Sequence, residues 1–324
     1  MAQPTLILHP GAPKTGSTSL QHFLHDQRHR LAAAGVHYVP RFFTRGRVDP
    51  LHRLFVRLRR ESDPAPFQAA IADRVDSLMA APGCRALLVS NEALIGPPLV
   101  YGEGAFFPAA DRALGLLAGA LGDRPIRLML TVREFSAFLI SYHGQFVRMG
   151  GATSLDHYGQ WIMPDAFSWA PLVAGLRRHF PAAPLDVVAF EDIMKPDGPD
   201  PARILLGPFC PADLPPFRPE RYRRNPAMET TLLEAQRRLN GLANRLLGGK
   251  RGGDVKRFFR RAVFMPLEHL PRRRAAPRPD PALPLDRAAL AAAYERQRAG
   301  LVTIGADGVR DGPARMSSGK DQGP

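Results

Sequence analysis

The sequence predicts an α/β fold with a mainly parallel central sheet flanked by helices. Two observations carry that prediction. Short apolar runs alternate along the chain with longer segments of helical periodicity, the pattern of strands joined by helical crossovers. The first such run, Thr5-Leu6-Ile7-Leu8, also passes through a glycine-containing turn straight into a helix start. In open α/β sheets, turns of this kind sit at the carboxyl ends of the strands, where ligands bind.

The elements follow in order. A strand over 4–9 precedes a helix over 17–33, in which Leu20, Phe23, Leu24 and Leu31 fall on one face. Residues 41–75 contain the basic stretch LHRLFVRLRRE and read as an amphipathic helical insertion. The run Ala86-Leu87-Leu88-Val89-Ser90 is a buried strand ending at Asn91-Glu92, followed by a helix over 109–121. Ile126 to Val132 forms the next strand and 134–149 the helix after it; a further strand covers 185–190. Helices are expected over 228–247, 254–264 and 285–299, with a Pro/Arg-rich arm from Pro266 to Pro284. From about 303 the composition predicts a disordered tail. The organisation is one α/β domain over 1–265, an arm with a last helix over 266–302, and the tail over 303–324.

The turn after the first strand reads HPGAPKTGSTSLQ over residues 9–21. A glycine-rich strand-to-helix turn gathers backbone N–H groups at the positive end of a helix dipole, a site for phosphate or a similar anion. Triphosphate-binding loops read G-x-x-x-x-G-K-[ST]. Here Gly11 and Gly16 keep the glycine separation, but Ser17 holds the lysine position and the lysine stands earlier, at Lys14. A second segment, PIRLMLTVREFSAFLISYHGQFVRMG, places Arg133 at a strand end and Ser141 eight residues later, a little over two helical turns on. A phosphate dianion calls for a guanidinium and a hydroxyl donor, although an arginine at a strand end is by itself a common solvated residue.

The displaced lysine of PKTGST, the Arg133–Ser141 pair, Ser90-Asn91-Glu92 at a strand end and Glu191-Asp192 after the 185–190 strand stand in the order found in one enzyme family. The chain resembles the PAPS-dependent sulfotransferases, particularly bacterial and carbohydrate-type members, over about residues 4–195. PAPS is 3′-phosphoadenosine 5′-phosphosulfate, the sulfuryl donor. The resemblance implies a three-layer, P-loop-like fold and transfer of a sulfuryl group to a hydroxyl or amine, leaving 3′,5′-adenosine bisphosphate (PAP). It implies that Pro13, Lys14, Thr15, Gly16, Ser17 and Thr18 cradle the 5′-phosphosulfate, with Lys14 the electrostatic catalyst, and that Arg133 and Ser141 hold the 3′-phosphate. A distal basic loop closes that phosphate in the family; Arg223-Arg224-Asn225 and Lys250 to Asp254 are the candidates here, with Arg224 taken into the site. The insertion over 41–75 would shape the acceptor pocket. Glu92 or His52 would act as general base. No metal is implied, and the expected acceptor is a glycan or glycolipid.

Composition bounds the alternatives. The 324 residues are 45% hydrophobic, and a mean hydropathy of −0.18 fits a soluble globular protein. No secretory or membrane-spanning segment is expected. Two cysteines, Cys84 and Cys210, cannot build a disulfide framework and suggest a reducing, cytoplasmic setting. The net charge of +14 and pI of about 10.7 favour anionic partners, and much of the excess lies in RPERYRR, KRGGDVKRFFRR and PRRRAAPRPDP of the last third. Contact with an anionic surface through that third is therefore expected. No zinc-finger, RNP1 or KH pattern supports specific nucleic-acid binding. His22, His25 and His29 could share a helix face but lack a partner carboxylate motif, so a metal site is not expected there. Two other functions remain open to the same residues: a divergent P-loop nucleotide kinase or NTPase, and a non-catalytic basic binding protein on the same fold.

Overall fold

A computed structural model of the protein describes residues 3–41, 49–222, 230–247 and 285–301. Arg224, the Lys250–Asp254 stretch, the 254–264 helix, the whole Pro/Arg-rich arm and the tail lie outside the described residues.

Five parallel strands form one sheet in the order β2-β3-β1-β4-β5. They are β1 (Thr5–His9), β2 (Val36–Val39), β3 (Ala86–Ser90), β4 (Ile126–Val132) and β5 (Leu185–Ala189). All five residues of β3 are buried, as expected of a central parallel strand covered on both faces, which reads as an unbroken apolar run. Side chains alternate between two cores. Leu6, Leu8, Leu87, Val89, Leu128 and Leu130 enter one; Ile7, Ala86, Leu88, Met129 and Val188 enter the other. The fold is thus three-layered α/β.

The helix expected over 17–33 divides at Gln27 (φ −90°, ψ 6°) into α1 (Ser17–Asp26) and α2 (Arg28–Ala33). Together they lead from β1 to β2, a four-residue edge strand that sequence reading did not identify. Residues 50–79 form α3 (Pro50–Arg60) and α4 (Ala65–Met79). Asp49 starts α3 by accepting a 2.9 Å bond from Leu51 N, with Pro50 in the first turn, the usual chemistry of a helix start. Leu51, Phe55 and Leu58 of α3 and Ile71 and Val75 of α4 then enter the same core as α5 (Ala110–Leu121). After β4 comes α6 (Phe135–Arg148), then α7 (Leu155–Gly159), α8 (Ala170–His179), α9 (Phe190–Ile193) and α10 (Pro201–Leu206). Two further helices, α11 (Thr230–Leu247) and α12 (Arg287–Leu301), pack against α6.

The strand order makes β1 the switch point. Its neighbours are β3 on one side and β4 on the other, so the crossovers diverge there and leave a crevice at the carboxyl ends. The segments following β1, β3 and β4 are those that carry Lys14, Glu92 and Arg133.

Candidate functional site

A cleft of about 1300 Å³ opens at that crevice. Pro13, Lys14, Thr15, Gly16, Ser17, Thr18, Glu92, Arg133 and Ser141 all line it, so the segments after three separate strands meet there. His52 does not join them.

The loop is built by backbone conformation. Gly11 has φ +40° and Gly16 φ +83°. A β-carbon at Gly11 would come within 3.1 Å of His9 Nε2, and one at Gly16 within 3.1 Å of Phe190 Cε2. Lys14 itself sits in the left-handed region at φ +68°, a conformation that costs a side-chain-bearing residue about 1–2 kcal/mol. Thr15 ties the turn by donating its hydroxyl to Ala12 O at 2.6 Å. Gly16 then begins α1 with no side-chain cap, so the first N–H groups of the helix remain open to an anion.

Arg133 is held from several directions. Its Nη1 donates to Lys14 O at 2.7 Å, and its guanidinium carbon lies 4.7 Å from the centroid of the Phe190 ring. Its carbonyl accepts a 2.9 Å bond from Trp169 Nε1. Its Nε is buried without a hydrogen-bond partner. Burial lowers the Arg133 pKa from its usual value, opposed by the nearby Glu191 and Glu134 carboxylates. Glu134 in turn caps α6, accepting 2.8 Å bonds from Ser136 N and Ala137 N. Glu191 accepts from Glu134 N at 3.0 Å and from the Tyr294 hydroxyl at 2.8 Å. The last described helix, α12, therefore braces the arginine, a connection with no signal in the sequence.

Lys14, Arg133 and Arg148 bring positive charge together in the cleft. Lys14 is pulled down to about 8, first by burial and then by the positive charges of Arg148 and Arg133; Glu92 opposes the shift. No carboxylate among the described residues lies within ion-pairing distance of the Lys14 ammonium. Several cations pressed together in a half-buried cleft are stable only at a cost, which a bound polyanion relieves. Arg148 was not singled out from the sequence. Its signal is the spacing of Ala137, Ser141, Gly144 and Arg148, which puts all four on one face of α6, and all four line the cleft.

Glu92 reaches the cleft but is engaged: its Oε2 lies 2.6 Å from Arg41 Nη1 and accepts from Gln21 Nε2 at 3.2 Å. His52 is buried between β2 and β3. Its Nε2 lies 3.3 Å from Val39 O and its Nδ1 accepts from Asn91 Nδ2 at 3.1 Å. Burial lowers its pKa, against the bond to Val39. The histidine ties the edge strand to the sheet, and no described residue between 49 and 79 lines the cleft. His9 is the other histidine of interest. It lines the cleft floor, is fully buried and is held near pKa 4 by that burial, with Nδ1 2.9 Å from Ser90 Oγ.

No protein family, curated protein or solved structure matches the chain. The site must be read from its own chemistry. Among the described residues no group of three or more His, Cys, Asp or Glu side chains is placed to hold a metal ion. No described helix is long and apolar enough to cross a membrane.

Proposed function

We propose that the cleft binds PAPS and transfers its sulfuryl group to a hydroxyl, or an amine, of a glycan or glycolipid acceptor. What supports this reading most is the convergence of Lys14, from inside the Gly11–Gly16 loop, with Arg133 and Ser141 in one cleft. A donor with a phosphosulfate at one end and a phosphate at the other needs two anion sites in one crevice. The loop and α1 supply one; Arg133 and Ser141, which line the same cleft, supply the other. Ser141 adds a hydroxyl to the same lining, and Arg148 stands near enough to Lys14 to lower its pKa. The strand order, with an anion-binding loop after the central β1, is consistent with a P-loop-like core.

In the reaction so read, the acceptor oxygen forms a bond to sulfur while the bond from sulfur to the 5′-phosphate oxygen breaks. Lys14 balances the charge left on that phosphate oxygen, and the backbone donors of Thr15 to Thr18 hold the phosphate in place. The acceptor proton passes to Glu92, which faces the cleft where His52 does not.

Transfer of ³⁵S from labelled PAPS to a panel of unsulfated oligosaccharides and glycolipids tests the reading. Wild type should label at least one acceptor, and Lys14→Ala should lower the rate on the order of 10²-fold or more. Labelling that is untouched by Lys14→Ala would overturn it. So would ATP- and Mg²⁺-dependent phosphorylation with no sulfuryl transfer, the behaviour of a divergent kinase.

A further inference from the structure

A second, smaller cavity of about 750 Å³ lies beside the cleft and shares Arg237 with it as a common wall. Its rim carries Tyr101 and Trp161, whose rings meet edge to face with centroids 5.4 Å apart. Tyr101 is 78% exposed, more than any other large hydrophobic side chain among the described residues. Core formation therefore does not account for its position.

The presentation is nonetheless ordered. Tyr101 stands on a turn whose Gly102 and Gly104 both take positive φ (+85° and +62°). That turn is pinned by a bond from Met163 N to Gly104 O at 3.0 Å and by a bridge between Gly104 and Ile162. The opposite wall is fixed by α11. Arg237 Nη1 donates to Ala152 O at 2.9 Å, and Asn240 Nδ2 donates to Val147 O and Gly151 O at 2.8 Å each.

The chemistry of the remaining wall selects the ligand. Gln160 offers an amide and His157 its Nε2, while the Ser154 hydroxyl lies 2.9 Å from His157 Nδ1 and caps α7. The single guanidinium of this wall, Arg237, is tied up in bonds of 2.7 and 2.6 Å to Glu234, a carboxylate that Arg238 also engages. A phosphate or sulfate would have to displace Glu234 from Arg237, and a purely apolar group would strand the polar wall. A sugar ring satisfies both halves: its C–H face packs on the electron-rich aromatic rings while its hydroxyls reach the polar groups.

We infer that this cavity is a saccharide subsite, with Tyr101 and Trp161 as the stacking platform and Gln160 as a hydroxyl-reading group. Sugar binding stands on the cavity itself; that the bound ring belongs to the acceptor rests on the sulfotransferase reading. An oligosaccharide with one ring on Tyr101 and Trp161 would continue past Arg237 into the cleft.

The chain has two tryptophans; Trp169 is buried and bonded to Arg133 O, so the emission change assigned to Trp161 is the part that Trp161→Phe abolishes. Titrating the full-length protein with maltotriose, cellotriose, chitotriose and unsulfated chondroitin oligosaccharides should give a saturable change with at least one of them. Tyr101→Ala should weaken that binding about tenfold or more and Gln160→Ala severalfold, while Tyr101→Phe retains it. PAP-induced thermal stabilisation should be the same in Tyr101→Ala as in wild type. No response to any sugar at about 10 mM (below about 3 kcal/mol of binding) would overturn the subsite, as would unchanged affinity in Tyr101→Ala. A Trp161 response to PAP instead of sugar would overturn it too, by assigning the rings to the donor's base. Sugar binding in a protein that ignores PAP would leave the subsite standing and sink the sulfotransferase reading alone.

Discussion

Replacing Lys14 by methionine should make the protein more stable and less able to bind its anion. The ammonium is desolvated among like charges, and its pKa falls from 10.5 to about 8. At about 1.4 kcal/mol per pKa unit, this is roughly 3 kcal/mol of unfavourable free energy for the charged form in the fold. The sign follows from linkage. Below pH 8 both folded and unfolded states hold the proton, so the penalty is fully present at pH 7. Between about 8 and 10.5 the unfolded chain binds the proton more tightly, and wild-type stability rises with pH. Methionine keeps similar bulk and removes the charge, leaving the strained φ of +68° in place. Urea and thermal unfolding of the two proteins should therefore show Lys14→Met ahead by up to roughly 3 kcal/mol at pH 7, with the gap closing towards pH 10.5. PAP at 100 times its Kd should then stabilise wild type by about 2.7 kcal/mol and the variant by far less. A variant less stable than wild type at pH 7, or a gap that stays flat from pH 7 to 10, would refute the picture of a frustrated cation waiting for an anion.

Three other outcomes follow from the same geometry. PAP affinity measured by calorimetry should be flat from pH 7 to 8 and then weaken up to about tenfold per pH unit as free Lys14 loses its proton; in Lys14→Met that break near pH 8 should vanish. Gly16→Ala should cost about 1–2 kcal/mol of stability in thermal unfolding and reduce PAP binding, because its new methyl meets Phe190 and its φ of +83° disfavours a side chain. Tyr294→Phe removes one donor to Glu191 and should lower stability by about 1 kcal/mol, with a severalfold loss of PAP affinity that a readout of folding alone would not show.

The parts of this fold that were legible in the sequence are those where local pattern and burial coincide. β3 and β4 occupy the residues their apolar runs mark, 86–90 and 126–132, because a strand covered on both faces has no alternation to confuse the reading. β2 was invisible: four residues, Val-His-Tyr-Val, with the middle two half-buried on a sheet edge carry too little period for any pattern. The helical character of 50–60 was legible from Leu51, Phe55 and Leu58, but periodicity gives a face and not a neighbour. Hence His52 could be expected in an acceptor pocket, yet it is buried against Asn91 and Val39. Lys14, Arg133 and Ser141 were readable because parallel topology sends the ends of β1 and β4 to one crevice. The Gln21–Ser90–His9 contacts join residues 69 and 81 positions apart, and Tyr294 reaches Glu191 across 103. Such pairings exist only after the chain has folded.

The most direct test of the donor site is calorimetric titration with PAP, and separately with ATP and Mg²⁺, of wild type and Arg133→Ala. PAP should bind wild type and weaken about 10- to 100-fold in Arg133→Ala, the loss of one or two charge-assisted hydrogen bonds, while ATP with Mg²⁺ binds poorly to both. Tight binding of ATP with Mg²⁺ and none of PAP would contradict the sulfotransferase account.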